Sequence, residues 1–221
     1  MSAMRIAILA SGDGSNAQSI IDHFSQQHAS VADTVVLVAS NRAEAGALQR
    51  ASAAGIASHL IKDATNGAEL LAALHAVHAE LLVLAGYLKL VPLEVVKAFE
   101  GRLLNVHPAL LPAFGGHGMY GQRVHEAVIA SGAKVSGVTV HFVNEAFDQG
   151  PIAAQWPVAV LSHDTARTLA ERVLQVEHQL FPVVIEAVTA GLITLDTTGH
   201  VHGSLPATSP FATNVPNLFL F

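Results

Sequence analysis

Short apolar runs at residues 5–10, 34–40, 81–85 and 103–106 alternate with segments whose apolar residues recur at helical spacing. That alternation specifies a mostly parallel sheet covered by helices, because a chain needs a crossover to return to the start of a parallel neighbour. After the first run, Ala17, Ile20, Ile21 and Phe24 share one helical face. An Ala-rich helix follows the second run and stops before Gly55. A short strand near His59 comes next, then a helix capped by Asn66 with Leu70, Leu71, Leu74 and Val77 turned inward. Pro92 stands where a helix start tolerates it, ahead of Val95, Val96 and Phe99. From residue 113 the pattern changes. Residues 113–122 carry four glycines and read as a loop, followed by a helix over about 124–129. Two strands near 136–143 and 152–158 form an antiparallel extension. Asp164 is expected to cap a long helix presenting Leu169, Val173, Val176 and Leu180, which Pro182 should kink or interrupt. Residues 192–195 add an edge strand, and 203–221 read as an irregular tail. The expectation is a single α/β domain with a Rossmann-like open twisted sheet, helices on both faces and an antiparallel C-terminal extension. Residues from about 4 to 112 make its first half and those from about 113 to 202 its second.

Composition narrows the function classes. A hydrophobic content of 51% is ample for a packed core, and the formal charge of −6 argues against nucleic acid as a partner, which needs a basic face. The absence of cysteine excludes disulfides, thiolate metal sites and thiol catalysis. No apolar run approaches the ~20 residues of a membrane-spanning helix, so the expected address is cytoplasmic. Of the 13 histidines, His75 and His78 lie one helical turn apart but read as a solvated face; no His-Glu-x-x-His or similar ligand set suggests a metal.

The run at 103–106 delivers the chemistry. Asn105 and His107, two residues apart on an extended chain, project to one face, and Pro108 ends the strand while restricting His107. An amide N–H and an imidazolium aimed at one oxygen suit acyl transfer, where that oxygen gains charge in a tetrahedral intermediate. The candidate to orient the imidazole is Asp148, in a polar turn after the alternating strand; taken alone, Asp-Gln-Gly there is an ordinary turn. His141 alternates with apolar neighbours and reads as structural. His117 and His125 flank the glycine-rich loop and are expected to border the site. The turn Gly12-Asp13-Gly14-Ser15-Asn16 reads either as a phosphate cradle at a helix N-terminus or as a plain strand-to-helix connection. A dinucleotide site is disfavoured, since the third glycine of that fingerprint is missing and the second strand ends in Ser40-Asn41-Arg42 without a ribose-binding acid.

Four motifs together resemble the folate-dependent formyltransferases, and among them those that act on glycinamide ribonucleotide in purine synthesis. They are Ser11-Gly12-Asp13-Gly14-Ser15-Asn16, Leu84-Ala85-Gly86-Tyr87-Leu88-Lys89, Asn105-Val106-His107-Pro108 with Leu110-Leu111-Pro112, and Asp148-Gln149-Gly150-Pro151. The resemblance implies direct formyl transfer from 10-formyltetrahydrofolate, a co-substrate, to the amine of glycinamide ribonucleotide. Asn105, His107 and Asp148 would be catalytic, with Asp148 holding His107 charged. Gly12, Asp13, Gly14, Ser15, Asn16, Pro108 and Glu177 would bind the acceptor. Leu88, Lys89, Leu90, Val91, Val143, Asn144 and Phe147 would line the folate pocket. No metal, nucleic acid or membrane partner is implied, and the assembly is left between monomer and homodimer. The segment 115–121 is richer in glycine than in many relatives, and Ala113 stands where Lys is common. Other readings are a formyltransferase acting on initiator methionyl-tRNA, a formyltetrahydrofolate hydrolase, and a folate- or nucleotide-binding protein without catalysis.

Overall fold

The computed structural model describes residues 3–26, 33–205 and 209–211. Seven strands form one sheet in the order β3-β2-β1-β4-β5-β6-β7: β1 Arg5–Leu9, β2 Thr34–Ser40, β3 Ala57–Leu60, β4 Leu81–Leu84, β5 Leu103–His107, β6 Val135–Phe142 and β7 Ile152–Ala159. The β1–β2, β1–β4, β2–β3 and β4–β5 pairs are parallel, and β6–β7 is antiparallel. This is the expected Rossmann-like α/β fold.

The chain divides into two compact units, Met1–Asn105 and Val106–Phe221. In the first, Ile6, Ile8 and Leu9 of β1 and all of Leu81–Leu84 are buried, because a central parallel strand is covered on both faces. Each such side chain contributes about 1.5–3 kcal/mol by leaving water. Helix α1, Ser15–Ser25, turns Ala17, Ile20, Ile21 and Phe24 inward as their spacing predicts, and α2 covers Gly46–Ala53. Helix α3, Gly67–Ala76, starts at Asn66, whose side chain accepts the Glu69 N–H at 3.1 Å. Helix α4, Leu93–Ala98, follows Pro92. His75 and His78 are exposed, as expected of a solvated face.

In the second unit, α5 spans Gln122–Ser131, starting two residues before the sequence suggests because Gly121, at φ 53, frees the chain to turn into it. Three expectations need correction. Helix α6 runs unbroken over Ala166–Thr189 with Pro182 inside it. The hydrogen bond that proline forfeits is outweighed by packing, since Leu180, Phe181, Val183, Val184 and Ile185 are all buried around it. The α6 cap is Thr165, in a reciprocal box with Thr168. Asp164 instead binds Arg172 through both carboxylate oxygens, at 2.7 and 2.8 Å. Residues 192–195 do not edge the main sheet: β8, Ile193–Leu195, pairs with β9, Val201–Gly203, in a separate hairpin. The supposed tail therefore begins inside a strand; its residues 206–208 and 212–221 lie outside the described residues.

Candidate active site

The sheet order reverses at β1 and β4, and ligands of open α/β sheets bind beyond the carboxyl ends of the strands at such a point. The loops following both strands meet there. Ser11, fully buried, donates its N–H to Gly86 O at 3.0 Å. Its hydroxyl accepts the Leu88 N–H at 3.0 Å and donates to Asn41 Oδ1 at 2.6 Å. The turn at 12–16 and the segment 88–91 are thereby tied together. Gly14 is the N-cap of α1 at φ 81, with no side chain capping the helix, so the first-turn N–H groups beside Ser15 and Asn16 face outward from a positive helix end. A Cβ on Gly14 would stand 2.6 Å from Ala47 Cα, so glycine is required twice over, by φ and by space. Of the segment 88–91, Val91 is buried, Leu88 half-buried, and Lys89 and Leu90 exposed.

In the second unit, His107 ends β5 and is 3% exposed. Its Nδ1 lies 3.5 Å from Asp148 Oδ2, and its Nε2 is 2.9 Å from the Phe114 carbonyl. Asp148 is shared: its Oδ1 is 3.7 Å from His141 Nε2, and its Oδ2 accepts the Gly116 N–H at 2.9 Å. Burial would raise the Asp148 carboxyl, but His141, the charge of His107 and the Gly116 N–H outweigh it and leave it below its ordinary value. Burial acts on His107 in the opposite sense. It prevails over the raising effects of Asp148 and the Phe114 carbonyl, and His107 falls below its ordinary value. Asp148 thus favours the charged ring, as expected from the sequence, and desolvation opposes it. Behind it, His125 on α5 is 4% exposed with Nδ1 unbonded, and burial and then the charge of His107 push it down to about 4.

The segment after His107 is pinned by a buried hydroxyl. Thr139 on β6 donates to Ala109 O at 2.6 Å and accepts the Leu111 N–H at 3.0 Å, while Gln155 on β7 bonds Thr139 Oγ1 at 3.0 Å and Leu111 O at 2.9 Å. The hairpin that carries Asp148 therefore also fixes the chain leaving His107. Phe114 and Asp148 hold φ values of 56° and 55°, left-handed backbone that costs a side-chain-bearing residue about 1–2 kcal/mol.

Among residues expected from the sequence, Val143, Asn144 and Phe147 are half-buried on the loop that ends in Asp148, and Phe147 meets the His117 ring edge-on at 5.7 Å. Pro108 and Asn105 are half-buried, and Asn105 shares a strand face with His107. Glu177 is buried on α6 rather than solvated. Sequence reasoning missed that His141 joins the cluster, that the Phe114 carbonyl and Gly116 N–H close it, and that Thr139 braces it. The signal for His141 was a histidine amid an alternation otherwise apolar; nothing local marked Phe114.

A model of the formyl transferases matches residues 4–185. The chain belongs to the formyl transferase family. This formyl transferase chain is 47% identical over 189 residues to a chloroplastic phosphoribosylglycinamide formyltransferase of Vigna unguiculata, covering 83% of this chain and 60% of that one. It thus spans less than two thirds of that plant protein. It is 38% identical over 203 residues to the trifunctional purine biosynthetic protein adenosine-3 of Bos taurus, with 89% of this chain covered and 19% of the other. The crystal structure of phosphoribosylglycinamide formyltransferase from Anaplasma phagocytophilum superposes with a TM-score of 0.83 at 33% identity, covering 91% of this chain and 93% of that one. Among the described residues of the formyl transferase chain, no group of His, Cys, Asp and Glu is placed to hold a metal ion, and no helix is long and apolar enough to cross a membrane.

Proposed function

We propose that the protein transfers a formyl group from 10-formyltetrahydrofolate to the amine of glycinamide ribonucleotide, in purine biosynthesis and at a cytoplasmic address. The observation that carries this reading is Asp148 held against the buried His107 at a strand end bearing Asn105.

The amine nitrogen attacks the formyl carbon, and the carbonyl electron pair moves onto oxygen. Asn105 and His107 donate hydrogen bonds to that oxyanion. Asp148, ionised at neutral pH, accepts through His107 or water the proton the amine sheds; N10 of the folate takes up a proton as it leaves, which balances the step. Burial of His107 opposes its charge while Asp148 favours it, so negative charge developing beside the ring strengthens its hold on a proton. The Phe114 carbonyl, which occupies His107 Nε2, gives way when a substrate oxygen takes its place. Gly12, Asp13, Gly14, Ser15 and Asn16 hold the acceptor phosphate through backbone N–H groups, with Pro108 beside the catalytic strand and Glu177 on the ribose hydroxyls. Leu88, Lys89, Leu90 and Val91, with Val143, Asn144 and Phe147, enclose the folate, whose pterin bonds backbone groups.

The test is spectrophotometric. Purified protein is given 10-formyltetrahydrofolate with and without glycinamide ribonucleotide, and deformylation is followed by absorbance. Turnover that needs the acceptor is expected; equal loss of formyl without it would assign a hydrolase instead.

A further inference from the structure

The loop assigned above to the acceptor phosphate carries an acid, Asp13, between its two glycines, and a carboxylate there repels the anion the loop would hold. The structure places a cation on it. Arg50 of α2 donates from its Nε to the Asp13 carbonyl at 2.8 Å and from its second terminal nitrogen to Asp13 Oδ2 at 2.7 Å. The guanidinium is a third exposed and the carboxylate three quarters exposed, so the pair faces the same water as the cradle. Loop geometry does not depend on Arg50 alone. Ala47 donates its N–H to Gly12 O at 3.3 Å, Gly46 packs bare against the Asp13 backbone, and Gly14 packs bare against Ala47. Helix α2 therefore buttresses the turn through backbone contacts as well, so Arg50 adds its Nε bond to the Asp13 carbonyl and, beyond that, its charge. A salt bridge this exposed adds little to stability, which gives it no strong structural purpose. Its remaining neighbour, Gln18 Oε1 at 3.5 Å from the Arg50 guanidinium, is neutral.

We propose that Arg50 is a positioning residue for the acceptor phosphate, acting through Asp13: it cancels the carboxylate carried by the cradle, so that the backbone N–H groups of Gly14, Ser15 and Asn16 meet a phosphate without a competing negative charge. This rests on the phosphate-binding reading of the loop. Arg50 itself contacts the loop, not the reacting atoms, so its effect falls on KM for the phosphorylated acceptor and leaves kcat nearly alone.

The experiment compares wild type, Arg50→Met, Asp13→Asn, Arg50→Met with Asp13→Asn, and Arg50→Lys. Arg50→Met is expected to raise KM for glycinamide ribonucleotide about five-fold at low salt, the scale of an exposed charge pair, with the gap narrowing at high ionic strength. The double variant returns KM to within about two-fold of wild type, since the acid has gone with its partner. Arg50→Lys keeps the charge and most of the affinity. A double variant as weak as Arg50→Met would overturn the proposal, as would a loss confined to kcat or no change at all. Binding of inorganic phosphate, followed by ³¹P line broadening on the same variants, separates this claim from the assigned reaction. Should the wild type fail to formylate the acceptor, the reaction is wrong, while the same order of phosphate affinities still supports the role of Arg50; absence of phosphate binding, or equal affinities throughout, overturns it.

Discussion

The turn at residues 11–16 and the cluster around His107 solve opposite problems. The first presents backbone N–H groups, with Gly12 and Asp13 exposed, and its side chains brace the loop: Ser11 bonds Leu88 and Asn41, and Asp13 pairs with Arg50. The second is made of side chains in near-complete burial: three histidines at 4% exposure or less surround the Asp148 carboxylate and its neighbourhood. Backbone donors carry fixed partial charges that bind an anion equally well before and during reaction. Buried titratable groups change charge with the reaction, and low dielectric magnifies that change. On the proposed function, binding falls to the turn and chemistry to the cluster.

The sharpest way to break it is Asp148→Asn, which removes the carboxylate while keeping its shape. Turnover is expected to fall by roughly 10²–10³, with KM for the acceptor shifting far less. Gly14→Ala attacks the other region: the new Cβ meets Ala47 at 2.6 Å in a left-handed backbone, and KM for the acceptor should rise at least about ten-fold while kcat changes less. A Gly14→Ala variant defective mainly in kcat would dissolve the division of labour. Thr139→Val leaves the Ala109 and Leu111 backbone groups without their buried hydroxyl and should lower stability by about 1–3 kcal/mol in a urea titration, with a parallel loss of activity.

The smallest effect is in pH dependence. The folded His125 titrates at about 4 because burial, then the charge of His107, opposes its protonation; unfolded, it titrates near the ordinary 6.5. The unfolded chain takes up the proton first, so this contribution is full above about 6.5 and is lost as pH falls toward 4. His107, also lowered, adds in the same direction. Melting temperature should fall over that interval, less steeply in His125→Gln, and a variant with the wild-type slope would remove His125 from the cluster's electrostatics.

The two regions also differ in how legible they are in the sequence. Gly14 and Asn66 act within a few residues of themselves, through a turn and a cap, so motif and spacing find them. Apolar periodicity likewise places β1, β2, β4 and the inner face of α1, because hydrophobic alternation is a local record of burial. The cluster needs long-range pairing: His107 reaches Asp148 across 41 positions, and His141 reaches the same carboxylate only because β6 and β7 form a hairpin. His141 reads as structural because its strand is buried on both faces, which hides a polar role. The opposing pull of desolvation on His107 is hidden for a related reason, since a carboxylate is visible in sequence and the extent of burial is not. Pro182 is overread because propensity is local while the packing that overrides it is tertiary.

The most direct test of the central claim is the single-turnover rate of formyl transfer in His107→Ala, with acceptor and 10-formyltetrahydrofolate both saturating, beside the acceptor's dissociation constant measured on the same protein. The account predicts a rate lower by roughly 10²–10³ with acceptor affinity within a few-fold of wild type. A near-normal rate, or a loss that lies wholly in affinity, would contradict it.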